Sequence, residues 1–195
     1  MDELPAIPTL ETVRLILLPW KLEYAEDMLI FASNINVVSV SDGWKLIDTT
    51  KKATAVINKF IKNHSTDESK KEWAVALKNE NKIIGSIGQF RNPSNALGYD
   101  NIINFGWLLA EEYWGQGLMT EAAKEIMRYN FMELKCDVMT VDHRVGNIRS
   151  KRVIEKCGFK LRGIFPKKAP YDPNSKACYV LTRYDYMDIF KESLD

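Results

Sequence analysis

Histidine and cysteine are scarce in this chain of 195 residues, with two histidines (64 and 143) and three cysteines (136, 157 and 178). Two histidines are too few for a His-based metal site, so no metal is expected. Three cysteines are an odd number and each borders an apolar segment (K-C-D-V-M, K-C-G-F-K, A-C-Y-V-L), where a small thiol serves as core filler rather than as a nucleophile. Charge of one sign is also missing: 27 basic residues face 26 acidic ones, leaving no global field to attract nucleic acid or an anionic membrane. No stretch of 18 apolar residues exists to cross a bilayer. The opening M-D-E-L-P is acidic and has no apolar run of the secretory kind, so a cytoplasmic location is expected.

The chain is 46% apolar, enough at this length for one domain spanning 1–195 with a sizeable core. Residues 12–18 (T-V-R-L-I-L-L) read as a strand stopped by Pro19. Two amphipathic helices follow, one with apolar positions 25, 28, 29 and 32 on a face, the other with 53, 56, 57, 60 and 61, before a polar H-S-T-D-E-S-K-K loop. Strands at 73–77, 82–90 and 102–109 form an antiparallel meander around a K-N-E-N turn. Then come a helix from 119 to about 134, a strand at 138–141, a helix at 147–157 ended by Gly158, and strands at 159–165 and 178–182. This order gives a mixed sheet flanked by helices, an α+β fold.

The segment Y-W-G-Q-G-L-M-T-E-A-A (113–123) sits where the meander ends and a helix begins. Glycines at 115 and 117 let backbone approach a diphosphate, and the first N–H groups of the helix point toward it. G115-x-G117-x-x-T120 partly matches the dinucleotide fingerprint, with Asp142 about 20 residues on. Against a nicotinamide or flavin stand Thr120 in place of the third small residue, five residues between Leu109 and Gly115, and a meander where a βαβαβ half is required.

Three segments, in order and spacing, resemble the GNAT N-acetyltransferase superfamily, in particular the branch of Rim-type ribosomal-protein N-acetyltransferases. They are E-T-V-R-L-I-L-L-P-W, I-N-F-G-W-L-L-A-E-E-Y-W-G-Q-G-L-M-T-E-A-A and V-G-N-I-R-S-K-R-V-I-E-K-C-G-F. The resemblance covers about 11–187. It implies a mostly antiparallel seven-stranded sheet with splayed fourth and fifth strands and about four helices. It also implies acetyl-CoA as co-substrate. The family's phosphate loop falls on Trp114, Gly115, Gln116, Gly117, Leu118 and Met119, with Trp and Met in place of the usual first polar and last small residues. Backbone N–H groups perform the binding there, so these departures leave coenzyme A in place. By the same resemblance Gly115, Gln116, Gly117, Leu118, Met119 and Thr120 take the diphosphate. Trp107, Leu108 and Leu109 pair with the pantetheine amides like an added strand, and Asn147 meets the same arm.

Amine acetylation requires a neutral amine, a donor to the tetrahedral oxyanion and a proton for the thiolate, and it needs no covalent enzyme intermediate. The oxyanion donor is expected on the strand ending at Leu109. Ser150, three residues after Asn147, matches the branch's candidate thiolate proton donor; the competing reading is a helix-start hydrogen-bonding residue. Related enzymes place a glutamate just after the G-F strand start, but here the nearest residue is Arg162. Asp142 and His143 are the substitutes by position for the base, against solvated loop residues, and Tyr179 is a further candidate, against a core tyrosine. Lys151, in a cluster with Arg149 and Arg152, is placed at the coenzyme's 3′-phosphate, against a solvated helix face. Trp44 could wall an acceptor pocket, although a core role is favoured over it. The segment P-K-K-A-P-Y-D-P-N-S-K lies where this branch shapes its acceptor site.

Two functions therefore compete: an acetyl-CoA-dependent N-acetyltransferase acting on a protein N-terminal amine, such as that of a ribosomal protein, or on a small-molecule amine; and a GNAT-fold module that senses acetyl-CoA without turnover. A homodimer stays open.

Overall fold

Alternating apolar residues drive each strand of the computed structural model, which describes residues 7–41, 43–66, 69–92, 98–165 and 175–190. Contacts divide the chain into two units, each discontinuous in sequence: Met1–Phe90 with Trp107–Glu125, and Arg91–Gly106 with Ile126–Asp195.

The first unit carries β1 (Leu10–Glu11), β2 (Leu15–Pro19), α1 (Ala25–Ala32), α2 (Ile35–Val38), α3 (Thr50–Thr66), β3 (Lys70–Leu77) and most of β4 (Lys82–Asn92). It also carries the last residues of β5 (Ile102–Leu109) and the start of α4 (Leu118–Arg128). The strands run antiparallel in the order β1-β2-β3-β4. Leu15 and Leu17 face inward at 0% exposure while Ile16 and Leu18 between them are only partly covered, the period-2 pattern of a half-buried strand. The β3–β4 hairpin closes at Asn81, whose φ of 51° needs a residue tolerant of the left-handed region. On one face Ala74, Ala76, Ile83 and Leu108 meet Met28, Phe31 and Ile57 from α1 and α3 in one buried cluster. Trp44, half-buried, packs edge-on against Phe31 and Phe60 at the border of this cluster, with ring centroids 5.8 and 5.9 Å away.

The second unit holds the start of β5, a π-helical turn at Tyr129–Glu133 that extends α4, β6 (Val138–Arg144), α5 (Ile148–Lys156), β7 (Lys160–Phe165), β8 (Lys176–Thr182) and α6 (Arg183–Phe190). β5 and β6 are parallel from Ile102–Val138 to Asn104–Thr140, and the ladder ends there. β8 pairs antiparallel with β6 on one side and β7 on the other. Gly158, at φ 83°, ends α5 in the left-handed conformation. Cys136 and Cys157 are buried thiols, and burial pushes the Cys136 thiol up to about 12.

Among the described residues the strands number eight rather than seven, because the short β1 pairs with β2 ahead of the expected first strand. The described residues form six α-helices rather than about four. The additional α6 begins with a reciprocal cap: Asp185 N–H donates to Thr182 Oγ1 at 3.0 Å, and Thr182 Oγ1 donates to Asp185 Oδ2 at 2.7 Å. The polar stretch after residue 63 is not all loop. α3 runs on to Thr66, and β3 starts at Lys70 because it pairs with Phe90. Among the described residues, no helix is long and apolar enough to cross a membrane, and no group of three or more His, Cys, Asp or Glu side chains could hold a metal ion.

Candidate functional site

In the first unit, β5 ends at Leu109, a 3₁₀ turn follows at Glu111–Tyr113, and α4 begins at Leu118. Trp114 holds this connection in place: its Nε1 donates to Leu109 O at 2.8 Å. The side chain at the family's first loop position thus braces the loop from inside, and it occupies the Leu109 carbonyl. Gln116 Nε2 donates to Glu112 O at 3.1 Å, bending the loop back on the 3₁₀ turn. Gly115 and Gly117 have φ of 78° and 77°, which side-chain-bearing residues rarely adopt, and both are exposed. A Cβ on Gly115 would meet nothing within 4 Å, so open space lies beside the backbone there. Leu118 and Met119 bury their side chains at 3% and 4% exposure and can offer a ligand only backbone. Glu121 N–H donates to Gly117 O at 3.1 Å, and the N–H groups of Leu118, Met119 and Thr120 precede that intrahelical bond. Trp107 is partly exposed, while Leu108 and Leu109 are buried.

A residue quoted in the opening motif but given no role, Arg14, secures this loop. Its Nη1 donates to Gln116 O at 3.0 Å and its Nε to Glu121 Oε2 at 2.7 Å. Burial alone would raise the Glu121 carboxyl, but hydrogen bonds from Thr12 and Arg14 outweigh it and hold the group below the usual carboxylate range. The first-turn acid of a helix was the available signal for this partnership.

The same unit contains a second carboxylate absent from the sequence reading. Alternation along β3 puts Glu72 on the face of Ala74, where Ser86 Oγ on β4 donates to Glu72 Oε1 at 2.6 Å. The residue opposite Glu72 is Gly88, and any Cβ there would fall on Glu72 Oε2. The Glu72 N–H donates to His64 Nε2 at 3.1 Å. Burial pushes the Glu72 carboxyl up to about 7, against the lowering effect of the Ser86 hydrogen bond. Burial first, and the Lys71 charge second, bring His64 down to about 4, so it is neutral at ordinary pH. Starting the strand at Trp73 hid Glu72 from the sequence pattern.

In the second unit, Asn147 is the N-cap of α5. Its Oδ1 accepts from Ser150 N–H at 3.1 Å and its Nδ2 donates to Ser150 Oγ at 3.0 Å. Because Ser150 Oγ accepts this bond, its own hydrogen is left to donate elsewhere. Lys151 is about half exposed and faces Glu155 one turn on, at 3.6 Å.

Asp142 and His143 do not follow the end of a strand at 141 as solvated loop residues. β6 continues to Arg144 because β8 begins at Lys176 and pairs with it, which places both residues inside the ladder. Asp142 Oδ1 is ion-paired with Lys176 Nζ at 2.9 Å. His143 is 5% exposed; its Nδ1 donates to Arg144 O at 2.7 Å, and its Nε2 lies 3.4 Å from the Tyr179 hydroxyl. Burial, then the nearby Glu155 charge, raises the Tyr179 phenol. Arg162 is exposed on β7. Most of the segment expected to shape the acceptor site, 166–174, lies outside the described residues.

A sequence model of the acetyltransferase (GNAT) domain matches residues 14–160. The uncharacterized N-acetyltransferase YnaD of Bacillus subtilis (strain 168) is 25% identical over 160 residues, covering 82% of this chain and 86% of that protein. RimL, a ribosomal L7/L12 alpha-N-protein acetyltransferase solved with coenzyme A, superposes with a TM-score of 0.75 at 17% identity, covering 92% of this chain and 99% of RimL. The microcin C7 self-immunity acetyltransferase MccE, solved with acetyl-CoA and AMP, gives a TM-score of 0.73 at 19% identity, covering 87% of this chain and 93% of MccE.

Proposed function

The chain belongs to the GNAT acetyltransferase family, and from that premise we propose that it transfers the acetyl group of acetyl-CoA to a primary amine by direct attack. The observation that carries this reading is the exposed loop with two left-handed glycines ahead of α4, braced by Trp114 and Arg14. Residues able to take a diphosphate by backbone alone fit coenzyme A, which supplies an activated acetyl thioester.

In this reading the N–H groups of Gly115, Gln116, Gly117, Leu118, Met119 and Thr120 hold the diphosphate. The backbone of Trp107–Leu109 binds the pantetheine amides and supplies the oxyanion donor. In the second unit, Asn147 orients Ser150 so that its hydroxyl hydrogen serves the departing thiolate, and Lys151 takes the 3′-phosphate. Asp142 is not used as the base in this reading, because its carboxylate is engaged by Lys176 inside the β6–β8 ladder. The acceptor is a protein N-terminal amine, in line with the RimL likeness, or a small-molecule amine, and the reaction takes place in the cytoplasm.

A panel of acceptor amines, read by thiol release, together with calorimetric titration of acetyl-CoA, tests this. Acetyl-CoA binding with thiol release for at least one amine is expected. Tight acetyl-CoA binding with no release for any amine would make the chain a sensor instead. Tight NAD binding without affinity for acetyl-CoA would overturn both.

A further inference from the structure

We propose that Glu72 is the group that removes the proton from the acceptor amine, with Ser86 as its positioning residue. This rests on the acetyltransferase reading above and adds to it the missing base. The argument begins with location inside the first unit. Ser86 on β4 faces Ala74 of β3 on one side. On its other side β4 runs beside the end of β5: Ala110 N–H donates to Ile84 O at 2.8 Å, and a Cβ on Gly85 would lie 2.4 Å from Leu108 O. Ser86 is therefore on the strand that adjoins Trp107–Leu109, the backbone proposed to hold the pantetheine arm and the oxyanion, and Glu72 reaches toward it from the next strand, β3.

The second strand of the argument is local construction. Gly88 opposite Glu72 gives the carboxylate the room that any side chain would take, because a Cβ there would coincide with Oε2. Ser86, 1% exposed, donates to Oε1 at 2.6 Å and fixes that oxygen. Glu72 as a residue is half-buried. Among the described residues, His64 from α3 meets the Glu72 backbone, and the Lys71 charge acts on His64. His64 is neutral and accepts from the Glu72 backbone, so it does not neutralise the carboxylate. A carboxyl pushed up to about 7 by burial is matched to accepting a proton near neutral pH.

The step balances without any further reactant. An ammonium N–H transfers its proton to the Glu72 carboxylate. The neutral amine then attacks the thioester carbon, the C–N bond forms and the C–S bond breaks; the second proton that the nitrogen sheds on becoming an amide balances the one that the departing thiolate takes up. Glu72 returns its proton to solvent.

The test compares the full-length protein with E72Q and S86A, using an amine that the wild type acetylates. E72Q is expected to lower kcat roughly 100-fold while acetyl-CoA binding by calorimetry stays within about twofold. The wild-type kcat/KM should climb with pH through a limb near 7, and E72Q should lose it. S86A removes a hydrogen bond that favours the ionised carboxyl, so its limb should move to higher pH by roughly half a unit to one unit. If E72Q fails to fold, the S86A limb decides alone. A wild-type rate and limb kept by E72Q, or an S86A limb that stays in place, would overturn the proposal and leave the acetyltransferase reading intact. A wild type that acetylates no amine would overturn both.

Discussion

Arg14 grips both oxygens of Glu121 across 107 residues of sequence: its Nε donates to Oε2 and its backbone N–H to Oε1, each at 2.7 Å. The same guanidinium reaches Gln116 O at 3.0 Å, so β2 is tied to the glycine loop through one side chain. The Arg14 side chain is 47% exposed, so the ion pair adds little to global stability. Its effect is on the loop. Glu121→Gln is expected to raise the KM for acetyl-CoA roughly fivefold, about 1 kcal/mol, with kcat nearly unchanged. Steady-state kinetics at varied acetyl-CoA would check this; a fall in kcat at constant KM would place Glu121 in the chemistry instead.

Asn147 and Ser150 separate capping from catalysis. Asn147→Ala removes the oxygen that accepts from Ser150 N–H, and should cost about 1 kcal/mol in denaturant unfolding. Ser150→Ala keeps that backbone bond and should alter stability by less than about 0.5 kcal/mol. If Ser150 protonates the thiolate, the alanine variant also loses at least roughly tenfold in kcat. Unchanged turnover with intact acetyl-CoA binding would reduce Ser150 to a capping partner.

Local signals in the sequence reached most of the fold. The turn before Lys82, the left-handed Gly158, the glycine loop and the helix start near 147 all depend on residues within a few positions of one another. What escaped depends on partners far along the chain. β6 reaches Arg144, taking Asp142 and His143 out of a loop, only because Lys176 lies opposite, and no pattern near 142 announces that pairing. Arg14 needs Glu121, and Glu72 needs Gly88 across a hairpin register. The T-R-Y-D cap of α6 was local and legible, but a strand assignment ending at 182 left it unread.

Two strand glycines should respond oppositely to alanine. At Gly85 a Cβ would lie 2.4 Å from Leu108 O and 3.2 Å from Leu109 Cα, both backbone atoms that cannot rotate away. Gly85→Ala should therefore destabilise by about 2 kcal/mol or more, through displacement of β5 from β4. At Gly106 a Cβ meets nothing within 4 Å, and Gly106→Ala should be neutral or stabilise by about 0.5 kcal/mol through the unfolded chain. Urea unfolding of the two variants checks the contrast, and equal costs would contradict the close approach at Gly85.

Glu72 and His64 pull the pH dependence of stability in opposite directions. The folded Glu72 carboxyl lies at about 7, above its ordinary 4.5, so between those values the folded state binds more protons than the unfolded one. Stability from this group is therefore full below 4.5 and is lost as pH rises through 7. The folded His64 lies at about 4, below its ordinary 6.5, so the unfolded state binds more protons in that window and stability rises with pH. From about pH 4.5 to 6.5 the two slopes offset, and the wild type should be nearly flat with respect to this pair. Glu72→Gln leaves the His64 slope alone, so that variant should gain stability from pH 4 to 6.5. His64→Gln leaves the Glu72 slope, so that variant should lose stability from pH 4.5 to 7. Urea midpoints of the two variants, each referred to wild type at half-unit steps of pH, should diverge with opposite sign. Parallel profiles would mean that neither side chain keeps its shifted proton affinity in the folded protein.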